Sequence, residues 1–165
     1  MKKNILFKTL VDILYSLHFL GLIGILLFLI FGIANIDQID PELEGGSILF
    51  WIFTFISLLT YIIFLRGLSY LRVIAKFLLS KNYFSQLIIS NLRKSGTHFL
   101  FTGILSLFLT LLLWIRKLYE GKFEIGYNTY LMIPFFLMII GLFFMIQSKT
   151  LLLAKNIKDE NDLTV

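Results

Sequence analysis

Four long apolar runs, each free of Asp, Glu, Lys and Arg, dominate the chain: residues 13–34, 47–65, 97–115 and 130–146. A hydrocarbon core of about 30 Å takes about 20 helical residues to cross, so each run is within reach of one crossing. The strict apolar–polar alternation of a barrel strand is absent, and backbone groups inside lipid must bond within their own helix. The pattern predicts an all-α polytopic membrane protein: one domain over residues 1–165, with four transmembrane helices in two hairpins. "MKKN" followed by Gly32-Ile33-Ala34 resembles a signal peptide, but the apolar run is too long and three more spans follow. An uncleaved first span is expected.

Between the second and third runs the pattern changes from apolar to amphipathic. Over 66–79, Leu68, Leu71, Ala75 and Leu78 recur at three-four-three spacing beside a polar stripe of Ser69, Arg72 and Lys76. No Pro or Gly interrupts 68–79, so span two is expected to continue as helix. A helix over 47–79 would be about 50 Å long, leaving about 20 Å beyond the bilayer core. After "SKNYFS", Ser85 is an N-cap candidate for a second arm over 86–96. Phe84, Ile88 and Leu92 mark its apolar side; Gln86, Ser90, Arg93 and Lys94 mark the other. Spans two and three thus extend into a helical hairpin. Its arms either pack on each other or lie in the headgroups with their bases near anionic lipid, or they form a protein-docking surface; amphipathicity alone does not separate these.

Charge assigns a side to this hairpin. Of the 15 Lys and Arg, 12 fall on the N-terminal flank, the 66–96 connection or the C-terminal flank. The loop "NIDQIDPELEGGS" on the other side has four acids and no base, and "RKLYEGKFEIGYN" is mixed. The positive-inside rule places both termini and the 66–96 connection in the cytoplasm. That bias accounts for most of the net charge of +5 and a pI near 9.5, so no direct nucleic-acid contact is expected. Composition agrees with the membrane class: 58% hydrophobic, 18 Phe, mean hydropathy +0.89. The absence of Cys excludes disulfides and thiolate chemistry.

Candidate chemistry is sparse. Asp12 sits at the inner edge of span one and His18 about two turns deeper, six residues apart and so on different faces. His98 opens span three. The two histidines either meet to bind a metal or titrate, or each is a polar residue satisfied at a helix contact or in the interface. Asp37, Asp40, Glu42 and Glu44 lack the spacing of an EF-hand loop. No catalytic or metal-ligating residue is assigned, no cofactor is expected, and an enzyme is the least supported class. Gly21, Gly24, Gly32, Gly103 and Ser106 permit close helix approach, within one chain or in a homo-oligomer, and Pro134 is a kink candidate in span four.

A shift of 79 residues lays "SYLRVIAKFLLSKNYFS" on "SKTLLLAKNIKDENDLT", matching Ser69/Ser148, Ala75/Ala154, Lys76/Lys155 and Asn82/Asn161, and it sets Gly24 on Gly103. Such an echo suits two parallel halves about an axis along the membrane normal. Asp159 and Glu160 oppose the negative end of a helix dipole, so the last helix is expected to stop near Lys158, within a tail over 156–165. Leu163 and Val165 would then dock on the arms or into a partner that captures a free C-terminus.

"KNYFSQLIISNLRKSG" after span two and "LLLAKNIKDENDLTV" after span four resemble the bacterial membrane proteins grouped as domain of unknown function 2975. The resemblance is sharpest at Phe84-Ser85, Asn91-Leu92-Arg93 and Gly96, and at the ending Asp159–Val165. Asn82-Tyr83 departs from the Gly-Pro often found before that turn. The resemblance implies a multi-pass protein of the bacterial cytoplasmic membrane without an assigned activity. Genes of such proteins often neighbour small Cro-type helix-turn-helix regulators, which points to one as a cytosolic partner. The expected function is a non-enzymatic membrane regulator. Its interaction surface comprises Arg72, Lys76, Phe84, Ser85, Arg93, Lys94, Asp162, Leu163, Thr164 and Val165, with Asp12, His18 and His98 as intramembrane polar candidates. The alternatives are a small oligomeric transporter, channel or lipid-sensing protein, and an immunity or envelope-stress factor.

Overall fold

The computed structural model describes residues 2–31, 48–80, 84–119, 121 and 129–163. The acidic loop with Asp37, Asp40, Glu42 and Glu44, along with Gly32, Asn82-Tyr83, Thr164 and Val165, lies outside the described residues. What is described is helical: α1 (Lys2–Phe31), α2 (Ile48–Phe77), α3 (Gln86–Tyr119) and α4 (Thr129–Leu163), with a 3-10 turn at Leu78–Ser80. All four helices are long and apolar enough to cross a membrane. The chain is a multi-pass membrane protein.

The helices outrun the bilayer. At 1.5 Å per residue, α2 is about 45 Å long and α3 about 51 Å, against a core of about 30 Å. The 86–96 arm is therefore one uninterrupted helix with its span, whereas the 66–79 arm is α-helical to Phe77 and ends in the 3-10 turn. The ends follow local chemistry. Ser85 caps α3 as its residue type predicts: the Ile88 amide donates to Ser85 Oγ at 3.3 Å. Gly121, at φ +68°, follows the last turn of α3 and donates its amide to the Leu118 carbonyl at 3.2 Å. Only glycine enters that left-handed region without penalty. A carbonyl of the 3-10 turn that follows α2, Leu78 O, receives a hydrogen bond from Asn4 Nδ2 of α1 at 3.1 Å.

One expected boundary is corrected. The last helix does not stop near Lys158 but runs to Leu163. A carboxylate near a helix C-terminus costs only about 0.3–1 kcal/mol, less when exposed and screened. No Gly or Pro follows Pro134 except Gly141, so nothing local halts propagation. Pro134 itself is buried within α4, and α-helix continues on both sides of it.

Packing runs in chain order. Among the described residues, helix backbones approach only between α1 and α2, α2 and α3, and α3 and α4, so the four form an open row rather than a closed bundle. Neighbours are antiparallel. On α3 and α4, Gln86 meets Lys155, Ile89 meets Ser148, Gly96 meets Gly141, and Gly103 meets Pro134 and Met138. The core lies toward one end, where Leu68, Leu71, Ile74 and Ala75 of α2 close on Ile88, Leu92 and Phe99 of α3, with Val11 joining from α1. Toward the other end large side chains such as Phe55, Phe108 and Phe136 stand exposed. That is the surface a lipid-facing protein presents.

The 79-residue echo does not reappear in these contacts. Ser69 bonds its own helix at Arg66 O, whereas Ser148 is buried and donates across to Ile89 O. Gly24 has nothing within 4 Å of a notional Cβ, whereas Gly103 faces the Pro134 carbonyl at 2.7 Å. The two hairpins are packed by different means.

Candidate functional site

An acid at the edge of an apolar run must find a cation, because an unpaired carboxylate there is poorly solvated. Asp12 finds two. Lys8 Nζ lies 2.8 Å from Oδ2, and Arg72 Nε of α2 lies 2.6 Å from Oδ1. The Arg72 guanidinium also sits 5.2 Å from the centroid of the Tyr15 ring. Asp12, read from the sequence as an isolated polar candidate, and Arg72, assigned to an interaction surface, are thus partners in one clasp between α1 and α2. Half the Arg72 side chain remains exposed.

His18 and Asp12 do not pair, as their six-residue spacing requires. The His18 Nδ1 bonds the Leu14 carbonyl one turn back at 2.8 Å, and its ring lies against Phe64 and Tyr61. The Tyr61 hydroxyl donates to the His18 carbonyl at 2.9 Å and occupies the space left by Gly21, 2.8 Å from where a Cβ would stand. The structure places His98 in a different helix pair: Nδ1 bonds Lys94 O at 2.7 Å and the ring lies against Tyr70 of α2. Each histidine bonds its own helix through Nδ1. Among the described residues no group of three His, Cys, Asp or Glu could hold a metal.

The arms are locked by hydroxyl-to-backbone bonds. Ser95, fully buried, donates to Gly67 O of α2 at 3.0 Å, and Ser148 of α4 donates to Ile89 O of α3 at 2.8 Å. Glycine makes these approaches close: a Cβ on Gly96 would stand 2.6 Å from Gly141 O, and one on Gly67 2.9 Å from the Phe99 ring. Gly67, Ser95, Gly96, Gly141 and Ser148 were not among the packing candidates read from the sequence. Their signal was present, as small residues one helix face apart where an arm joins a span.

With Leu68, Leu71, Ile88 and Leu92 packed between the arms, the remaining predicted residues lie outward or at the turn. Lys76, Arg93 and Lys94 are exposed, as is Phe84 at the turn, while Ser85 is half-buried by its capping role. Lys94 Nζ stands 5.6 Å above the Tyr70 ring. In the tail, Asp159, Glu160 and Asn161 are exposed on the last turns of α4, and Asp162 and Leu163 continue its backbone.

A family model described as "Protein of unknown function (DUF2975)" matches residues 34–165, or 132 of the chain's 165 residues. The chain belongs to the DUF2975 family. The match takes in α2, α3, α4 and both segments that carried the resemblance, Phe84–Gly96 and Asp159–Val165; α1 precedes it. A comparison with curated proteins gave no match, and neither did one with solved structures. Membership of DUF2975 names no substrate, so the functional argument rests on the geometry above.

Proposed function

We propose that the chain is a non-enzymatic regulator of the bacterial cytoplasmic membrane, with both termini inside. It holds a soluble partner on the platform formed by the arms and the α4 tail. One observation carries this reading: Leu68, Leu71, Ile88 and Leu92 are consumed in the core between the arms. An amphipathic helix that floats in the headgroups needs its apolar face for lipid. The arms spend that face on each other, so what they offer outward is charge on a rigid frame, interspersed with the exposed Val73, Leu79, Phe84 and Leu87.

The frame bears both signs. Arg72, Lys76 and Arg93 lie on the arms, and Asp159 and Glu160 lie on the tail helix beyond Lys155. Such a surface suits docking of a small protein that carries charges of both signs, with apolar contacts at Phe84 and Leu87 beside them. The partner implied by the family resemblance is a small helix-turn-helix regulator, which membrane capture would keep from DNA. Its test is recovery of a small helix-turn-helix regulator from the same cells on nanodiscs carrying the full-length chain or a chain ending at Lys158. Equal recovery removes the tail from the mechanism, and no recovery with either chain removes the regulator.

A second reading, a lipid-sensing membrane protein, is favoured by the acid-free flank of α2 and α3.

A further inference from the structure

The two flanks of the α2–α3 pair differ in their electrostatics. On the α1 side, Arg72 and Lys8 are answered by Asp12. On the opposite side stand Arg66 and Tyr70, one turn apart on α2, facing Lys94 and His98, one turn apart on α3. Tyr70 is the centre of this group: its ring centroid is 5.2 Å from that of His98 and 5.6 Å from Lys94 Nζ. Gly67 lets the helices close here, since a Cβ on it would stand 3.2 Å from His98 Cβ.

No acid answers these cations. α2 carries three bases and α3 four, and neither carries an Asp or Glu. Among the described residues no carboxylate pairs with Arg66 or Lys94, and the Tyr70 hydroxyl has no protein hydrogen-bond partner. The His98 Nδ1 is engaged by Lys94 O, which leaves Nε2 to the flank. Lys94, a phenol and an imidazole nitrogen thus gather without an internal counter-charge, with Arg66 one turn away on the Tyr70 face of α2.

Their depth selects the ligand. Arg66 is the first charge after the apolar run of α2, and Lys94 the last before that of α3. Both therefore stand where an apolar slab meets the polar layer. Beyond them on the same flank run the exposed Phe55, Leu59 and Ile62 of α2 and Phe101 and Phe108 of α3. We propose that Arg66, Tyr70, Lys94 and His98 form a binding site for the phosphate of an anionic phospholipid. Arg66 and Lys94 flank the phosphate oxygens, Tyr70 donates its hydroxyl, and the acyl chains lie along the phenylalanine-lined flank. The site needs no soluble partner and stands independently of the capture reading.

The test uses full-length chain in a neutral detergent, titrated with phosphatidylglycerol, phosphatidylcholine or inorganic phosphate and read by native mass spectrometry and thermal unfolding. Wild type should retain phosphatidylglycerol in preference to phosphatidylcholine. Arg66→Gln with Lys94→Gln should weaken that retention by about twenty-five-fold, about fivefold for each base removed near a headgroup layer. Arg66→Lys should restore most of it, and Lys117→Gln should change nothing. Protection by inorganic phosphate alone, lost in the double variant, would keep the anion site and make free phosphate its source. Equal retention of phosphatidylglycerol by wild type and double variant would overturn the proposal, as would equal retention of the two lipids by wild type.

Discussion

The α3–α4 crossing gives the sharpest test of the packing. A methyl group at Gly141 would stand 2.6 Å from Leu100 N and 2.7 Å from Gly96 O, both main-chain atoms that cannot swing aside. To reach 3.4 Å, the lower edge of ordinary contact, the helices must part by about 0.8 Å (3.4 − 2.6). A radial gap of about 0.5–1 Å forfeits a quarter to a half of each dispersion contact along the seam. The seam includes Gly103 against Pro134 O and the Ser148–Ile89 bond, so the loss is shared. Overpacking of this kind costs about 1–3 kcal/mol. Gly24→Ala is the matched control: nothing lies within 4 Å of its Cβ, and the exchange gains up to about 1 kcal/mol of helix propensity. Because propensity is common to both, the difference between the two variants isolates the crossing and should be about 1–3 kcal/mol. Far-UV circular dichroism in an SDS titration from one mild detergent reads it directly. Equal shifts for Gly141→Ala and Gly24→Ala would refute a backbone-close crossing.

Three further outcomes follow from named contacts. In a double-mutant cycle, Asp12→Asn with Arg72→Gln should show coupling of about 0.2–1 kcal/mol, since the pair is partly exposed; zero coupling would mean that the clasp does not hold α1. Ser148→Ala should cost about 0.5–1.5 kcal/mol, the usual net worth of an intramolecular hydrogen bond; stability equal to wild type would discount the bond to Ile89 O. Because the chain has no Cys, single cysteines at Phe84 and Gly121 report sidedness in intact cells. A membrane-impermeant maleimide should label position 121 and spare position 84, and the reverse pattern would invert the topology.

The period of the sequence carried most of the helices. The uncharged runs marked the four helices, Ser85 marked the start of α3, and three-four-three spacing at Leu68, Leu71, Ala75 and Leu78 marked the face that does pack. What was less legible concerns partners rather than elements. Arg72 lies on a polar stripe and reads as outward-facing; only the antiparallel register of α1 and α2 brings it to Asp12, 60 residues away. Gly96 marked the family resemblance and not a crossing, because tight approach depends on which glycines of two helices meet, here Gly96 and Gly141. The tail was misjudged because a weak dipole penalty was weighed without the absence of any breaker before Leu163. Tyr70 drew no notice, as a single tyrosine near a span end is ordinary until Lys94 and His98 close around it.

The arms and tail are proposed as a docking platform on the inner face of the membrane. Photo-crosslinking residues placed at Arg93 and Asn161, with Gly121 as the control at the opposite end of α3, test this in living cells. A small helix-turn-helix regulator, the proposed partner, should be trapped from 93 and 161 and not from 121. Trapping from 121 alone, or of lipid alone from all three positions, would contradict it.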